Sequence, residues 1–155
     1  MTTTDQTSSA APESRVQLAL NVSDLDAAIG FYSELFRTEP HKVRPGYANF
    51  EVADPPLKLV LIEQPGGQSL NHIGVEVFST ERVIAETRRL GAAGLETRVE
   101  DGVVCCHAEQ DKVWVSDPDG LAWEVYTVTD DEPAMIEIVT ASGVPGDCDD
   151  PACCE

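Results

Sequence analysis

The sequence predicts an α+β fold of two strand–helix–three-strand (βαβββ) modules pairing around a shared cleft. Three observations carry this. Residues 16–22 alternate apolar and polar, the period of a half-buried strand, and residues 71–77 repeat the pattern. Each alternating run leads into a capping residue and then into helical apolar spacing. Gln17 stands seven residues before the cap Asp24, and His72 eight before the cap Thr80, so the unit is written twice in about 55 residues each.

In the first module, Val16, Leu18, Leu20 and Val22 share one strand face, with Arg15, Gln17, Ala19 and Asn21 on the other. Ser23-Asp24 offers an N-cap for LDAAIGFYSELF, where Leu25, Ala28, Ile29, Tyr32 and Phe36 follow helical spacing. Short strands are expected near 41–44, 47–52 and 57–63, punctuated by Pro45-Gly46 and Pro55-Pro56. In the second module, Ile73, Val75 and Val77 oppose His72, Gly74 and Glu76. Ser79-Thr80 caps the helix ERVIAETRRL, expected to stop at Gly91. Strands follow near 95–100, 103–109, 113–116 and 121–128. The modules span about 15–64 and 70–129.

Outside residues 15–129 the composition changes. Residues 1–14 hold two acids and no Lys or Arg, and read as a disordered Ser/Thr-rich leader. Residues 130–155 hold eight acids and no base, and read as an acidic tail carrying Cys148, Cys153 and Cys154. With 10 Lys+Arg against 28 Asp+Glu, the net charge of −18 excludes a nucleic-acid partner, which needs a basic surface, and an anionic membrane. No apolar run approaches the roughly 20 residues of a membrane span. MTTTDQTSSAAPES lacks the basic and apolar regions of a secretory signal, so a cytoplasmic location is expected. The five Cys include two adjacent pairs, 105-106 and 153-154. Neighbours in sequence bridge only with strain, so free thiols or soft-metal ligands are expected of them.

The candidate site comes from strand parity. With the apolar face of each first strand under its helix, Gln17 and His72 fall on the concave side in matching positions. On the last strand, LAWEVYTV, Glu124 shares a face with Ala122 and Tyr126. A carboxylate among apolar neighbours needs a partner or a cation. An amide oxygen, an imidazole and a carboxylate on three strands would make a facial N/O metal site, with Gln in place of one His. Taken singly, each residue has a plainer reading. A lone strand His is usually satisfied core or surface, and Glu124 on an alternating strand faces solvent by default.

The doubled unit resembles the vicinal oxygen chelate superfamily of glyoxalases, bleomycin-resistance proteins and extradiol dioxygenases. Within it, residues 15–129 resemble the ArsI-type carbon–arsenic lyases and the cadmium-induced CadI proteins. The likeness rests on RVQLALNVSDLDAAIGFYSELF, KVRPGYANFEVADPPLKLVLIE, LNHIGVEV and CCHAEQDKVWVSDPDGLAWEVYTV. It implies non-haem Fe(II) held by Gln17, His72 and Glu124, so the shared cleft would be a metal cleft. It further implies that Cys105 and Cys106 capture a trivalent organoarsenical whose carbon–arsenic bond is cleaved with O2, releasing arsenite and an oxidised organic fragment. His107 departs from the Tyr expected of close relatives. As(III) and Cd(II) are soft and prefer thiolates, and two adjacent thiols chelate one centre only where the strand is interrupted, so a loop or bulge is expected at Cys105-Cys106 after the turn signal Asp101-Gly102. A buried, purely apolar role is the plain alternative for these thiols. Cys153-Cys154 lie in a segment too acidic for a core, and metal(loid) capture is expected there.

Glyoxalase-like relatives take a fourth ligand from the last strand of the first module. Here that strand is LKLVLIE, where only Glu63 has a suitable side chain, at the strand's end. Three ligands would leave positions open for O2 and substrate, and a neutral Gln would keep the site near a charge of +1. Two other functions stay open: a protein that sequesters Cd(II) or arsenite without turnover, and a glyoxalase-like metal-dependent lyase. The expected partners are a small trivalent organoarsenical and O2, with the protein a monomer or a homodimer.

Overall fold

The computed structural model describes residues 13–67, 69–105 and 108–133, with Cys105 described by its backbone. Strand β1 (Arg15–Val22) leads into helix α1 (Leu25–Phe36). Three strands follow: β2 (Lys42–Arg44), β3 (Tyr47–Val52) and β4 (Leu57–Glu63). The second unit runs β5 (Leu70–Glu76), α2 (Thr80–Ala92), β6 (Thr97–Cys105), β7 (Ala108–Ser116) and β8 (Ala122–Asp130). The α+β fold of two βαβββ units is as the sequence predicts.

All eight strands form one sheet in the order β2-β3-β4-β1-β5-β8-β7-β6. The two first strands, β1 and β5, meet antiparallel at the centre, and each runs parallel to the last strand of its own unit. The units are therefore joined edge to edge within one chain, which brings β4, β1, β5 and β8 side by side.

One face of the sheet is sealed by the helices. Asp24 caps α1, its side chain accepting from Ala27 N at 2.9 Å, and Ser79 caps α2, accepting from Arg82 N at 3.3 Å. Leu25, Ala28, Ile29, Tyr32 and Phe36 of α1 pack on Leu18, Leu20, Phe50, Leu59 and Leu61. In the second unit Val83 and Leu90 of α2 pack on Val75, Val113 and Val125. Burial of these stripes drives both helices onto the sheet and leaves the opposite face for polar side chains.

Two expectations are corrected. The three segments expected near 95–100, 103–109 and 113–116 form two strands, with residues 108–109 belonging to β7. Residues 97–105 form a single strand with a bulge between Glu100 and Val103, and both halves pair with β7. Gly102, at φ +60°, takes the left-handed conformation that the bulge needs. Helix α2 also does not stop at Gly91. It runs to Ala92, with Ala93 as its cap and Gly94 at φ +79° turning the chain away. The leader up to residue 12 and the tail beyond residue 133, with Cys148, Cys153 and Cys154, lie outside the described residues.

Candidate metal centre

Registry across the seam builds the site. Gln17 of β1 lies beside Lys58 of β4 on one side and Gly74 of β5 on the other. Gly74 is paired in turn with Glu124 of β8, and Glu124 with Trp114 of β7. His72 precedes Gly74 by two residues and shares its face. Gln17, His72 and Glu124 thus converge on the face opposite the helices, and each is buried.

Gln17 Nε2 donates to Glu124 Oε1 at 2.6 Å and lies 3.2 Å from His72 Nε2. His72 Nε2 is 3.3 Å from the same Glu124 oxygen. The other ring nitrogen is pinned: Nδ1 lies 2.7 Å from Asn71 Oδ1, while Asn71 Nδ2 donates to Asn21 Oδ1 at 3.0 Å. Asn71 Oδ1 therefore accepts a hydrogen bond from Nδ1–H, which leaves Nε2 facing the site. On the far side of the Gln17 amide, the buried Tyr126 hydroxyl donates to Oε1 at 2.5 Å.

Gly74 makes this approach possible. A Cβ there would sit 3.1 Å from both Gln17 Cβ and Glu124 Cγ. Glu124 divides its oxygens between two tasks. Oε1 faces Gln17 and His72, while Oε2 has no aligned hydrogen-bond donor among the described residues and faces the Lys112 ammonium at 3.2 Å. Burial pushes the Glu124 carboxyl upward, but His72 and Lys112 outweigh it and hold it below the ordinary carboxylate value. Glu124 is thus an anion in the interior. Tyr126 is driven the other way, well above the usual phenol value, by burial and then by Glu76 and Glu124, and stays a neutral hydroxyl. His72 meets the Trp114 ring edge to face, their centroids 5.2 Å apart, and Lys112 lies 5.3 Å from the same ring.

These residues suit a divalent cation. Metal bonds of about 2 Å place adjacent ligands about 3 Å apart, and the Glu124 and His72 donors stand at 3.3 Å. The donors are an amide, an imidazole and a carboxylate, the hard-to-borderline set for Fe(II) or Mn(II), and the ring is held by its far nitrogen as metal-binding His residues are. The amide shows its nitrogen to the site here, so coordination requires it to turn its oxygen inward. The cleft beside these atoms has a volume of about 30 Å³, room for one or two water-sized groups.

Glu63 is not a fourth ligand. It accepts from Leu25 N at 3.1 Å, at the start of α1. The β4 position nearest the site holds Lys58 instead, buried and 3.8 Å from Glu76. Cys105 ends β6 in register with Ala108, and Ala108 lines the cleft. Cys106 and His107 lie outside the described residues. The sequence alone assigns no role to Lys112, Tyr126 or Gly74. Alternation along QDKVWV and WEVY marks only the faces of the first two; the register that sets Lys112 opposite Tyr126 and Trp114 opposite Glu124 brings them to the site.

A family model described as Glyoxalase/Bleomycin resistance protein/Dioxygenase superfamily matches residues 15–125. The chain is 66% identical over 119 residues to the cadmium-induced protein CadI of Mycobacterium bovis, covering 76% of this chain and 78% of that protein. It is 53% identical over 143 residues to the trivalent organoarsenical cleaving enzyme of Thermomonospora curvata, covering 91% of this chain and 88% of the enzyme. Among solved structures, the Mn(II)-bound glyoxalase of Novosphingobium aromaticivorans matches with a TM-score of 0.56 at 24% identity, over 74% of this chain and 40% of that one.

Proposed function

The chain belongs to the Glyoxalase/Bleomycin resistance protein/Dioxygenase superfamily, and from that membership and the donors at its centre we propose that it is an Fe(II)- and O2-dependent enzyme that cleaves the carbon–arsenic bond of trivalent organoarsenicals. The observation that carries the reading is the convergence of Gln17, His72 and Glu124 on one buried point, in a chain 53% identical to a trivalent organoarsenical cleaving enzyme. Gln17 Oε1, His72 Nε2 and Glu124 Oε1 would hold the iron, which supplies coordination positions and electrons for O2. Lys112 keeps Glu124 ionised and anchors its second oxygen. Trp114 walls the His72 ring and keeps water from that side.

Substrate capture falls to Cys105 and Cys106. Their thiols replace the two hydroxyls of a trivalent organoarsenical, forming two As–S bonds and releasing two waters. That exchange needs no oxidant. It fixes the arsenic at the end of β6 and turns a bimolecular encounter into a positioned one. For methylarsenous acid the overall balance is one O2 consumed, with arsenous acid and formaldehyde formed: carbon is oxidised, O2 is reduced, and arsenic stays trivalent. Cys153 and Cys154 act as a further metal(loid) trap.

The 66% identity to a cadmium-induced protein favours a second reading, sequestration of Cd(II) or arsenite without turnover. One experiment separates them. The protein is loaded with Fe(II) anaerobically, given methylarsenite, and exposed to air while O2 and arsenic species are followed. Stoichiometric O2 uptake with arsenite release is expected. Tight binding of the arsenical with neither would establish sequestration and overturn the enzyme reading.

A further inference from the structure

The Gln17 amide is held from both sides, and the two sides make different demands. On the inner side its Nε2 donates to Glu124 Oε1 at 2.6 Å and lies 3.2 Å from His72 Nε2. The NH2 group thus fills the place of a cation and holds two electron-rich atoms together. A divalent ion in that place needs the opposite face of the amide, with Oε1 inward and Nε2 outward. On the outer side the amide has a buried partner, the Tyr126 hydroxyl, 2.5 Å from Oε1 and 109 residues away in sequence. A hydroxyl both donates and accepts. It donates to Oε1 in the present orientation, and after the amide turns it accepts from Nε2. Few other side chains of this size serve both states.

We propose that Tyr126 is a positioning residue for the metal centre, a hydroxyl that pairs with the outer atom of the Gln17 amide in both orientations and so lets Gln17 exchange its internal hydrogen bond for a metal bond without leaving a buried polar atom unpaired. This rests on the reading of Gln17 as a metal ligand. The direction of the effect follows from the chemistry of the amide. Coordination of Oε1 draws electron density from the amide nitrogen and makes its N–H a stronger donor, so the bond to Tyr126 is stronger in the metal-bound protein than in the metal-free one. Losing the hydroxyl therefore weakens metal binding as well as the fold around it. Outer partners of metal ligands elsewhere are worth about ten- to a hundredfold in affinity.

The test is a double-mutant cycle on Fe(II) affinity in the full chain, measured anaerobically by competition with a chromophoric chelator. The variants are Tyr126→Phe, Gln17→Met and the pair. Phe keeps the ring and Met keeps the volume of the Gln side chain without its amide. Tyr126→Phe should weaken Fe(II) binding about tenfold or more in the native background and about twofold or less in the Gln17→Met background. A purely structural loss would appear equally in both. Equal losses, or native affinity in Tyr126→Phe, would overturn the proposal. Native affinity in Gln17→Met would instead remove Gln17 from the metal's ligands, and with it the reading on which the proposal stands.

Discussion

Gly74 shows how far this centre depends on single atoms. The position pairs with Gln17 on one strand and Glu124 on the other, and its missing Cβ is what lets those side chains meet. Gly74→Ala should fold, because the backbone there has no left-handed requirement, but the added methyl must push Gln17 and Glu124 apart by a few tenths of an ångström. We expect Fe(II) affinity to fall about tenfold, with a stability loss of about 1–3 kcal/mol typical of overpacking. Calorimetric titration and thermal melts would read both, and unchanged affinity would mean that the ligands have slack. Glu124→Ala should abolish Fe(II) binding, since it removes the only anion among the proposed ligands, and it leaves the Lys112 ammonium facing the space the carboxylate held. Retained binding would exclude Glu124 as a ligand. The three ligand candidates are legible in the sequence because parity puts Gln17 and His72 in matching positions on one face and the family resemblance adds Glu124 to them. Gly74, Lys112 and Tyr126 are not, because each acts through a neighbour brought alongside by register, and register between distant strands is not written in local periodicity.

At the level of elements, the β6–β7 ribbon is where local signals mislead. Asp-Gly at 101–102 has the composition of a hairpin turn, yet Glu100 pairs with Lys112 and Val103 with Gln110, so both flanks run along the same partner strand. The dipeptide makes a bulge, and Asp111 stabilises it: Oδ1 accepts from Gly102 N at 2.8 Å, while Oδ2 accepts from Thr80 Oγ1 at 2.6 Å at the start of α2. A local pattern cannot distinguish a turn from a bulge when the deciding contact lies on another element. Gly91 misleads similarly. A helix tolerates one glycine at about 1 kcal/mol, and α2 is held in the core by Val83 and by Leu90, the residue just before Gly91. The ribbon also carries the thiols. Cys105→Ser and Cys106→Ser should each cut methylarsenite turnover by at least about a hundredfold, the effective-concentration advantage that a chelate supplies. Fe(II) affinity should stay within about twofold, because neither thiol is a proposed iron ligand. Near-native turnover in both variants would rule out the chelate, and lost iron binding would put a cysteine on the metal.

Across the whole molecule, the two units share more than the central seam. Beyond β8 the chain reaches over to β2 of the first unit. Asp131 Oδ1 lies 2.9 Å from Lys42 Nζ, its Oδ2 lies 3.2 Å from His41 Nε2, and Lys42 also donates to the Asp131 carbonyl. Next to it Glu132 pairs with Arg44 at 2.8 Å. Asp131 lines the cleft, so this clasp closes the edge of the candidate metal centre. The sequence places the boundary of the folded part at residue 129, because acids crowd the chain from there on; the partners of Asp131 and Glu132 lie about 90 residues back, on and just before a strand of only three residues. The consequence is testable by truncation. A chain ending at residue 133 should keep native stability, while one ending at residue 129 loses both clasp acids and should be less stable by about 1 kcal/mol, a modest figure because Asp131 is partly exposed and screened. Acid should reveal the same contact. Burial pushes the Asp131 carboxyl up, but hydrogen bonds from Lys42 and His41 outweigh it and hold it below its ordinary value. A depressed carboxylate contributes stability above its unfolded value, about 3.9, and that contribution is lost as pH falls through the folded value. Thermal melts of the native chain and Asp131→Asn should therefore differ by a constant amount at neutral pH and converge well below pH 4. The absence of any gap at neutral pH would show that the clasp works through the Asp131 carbonyl and not its charge.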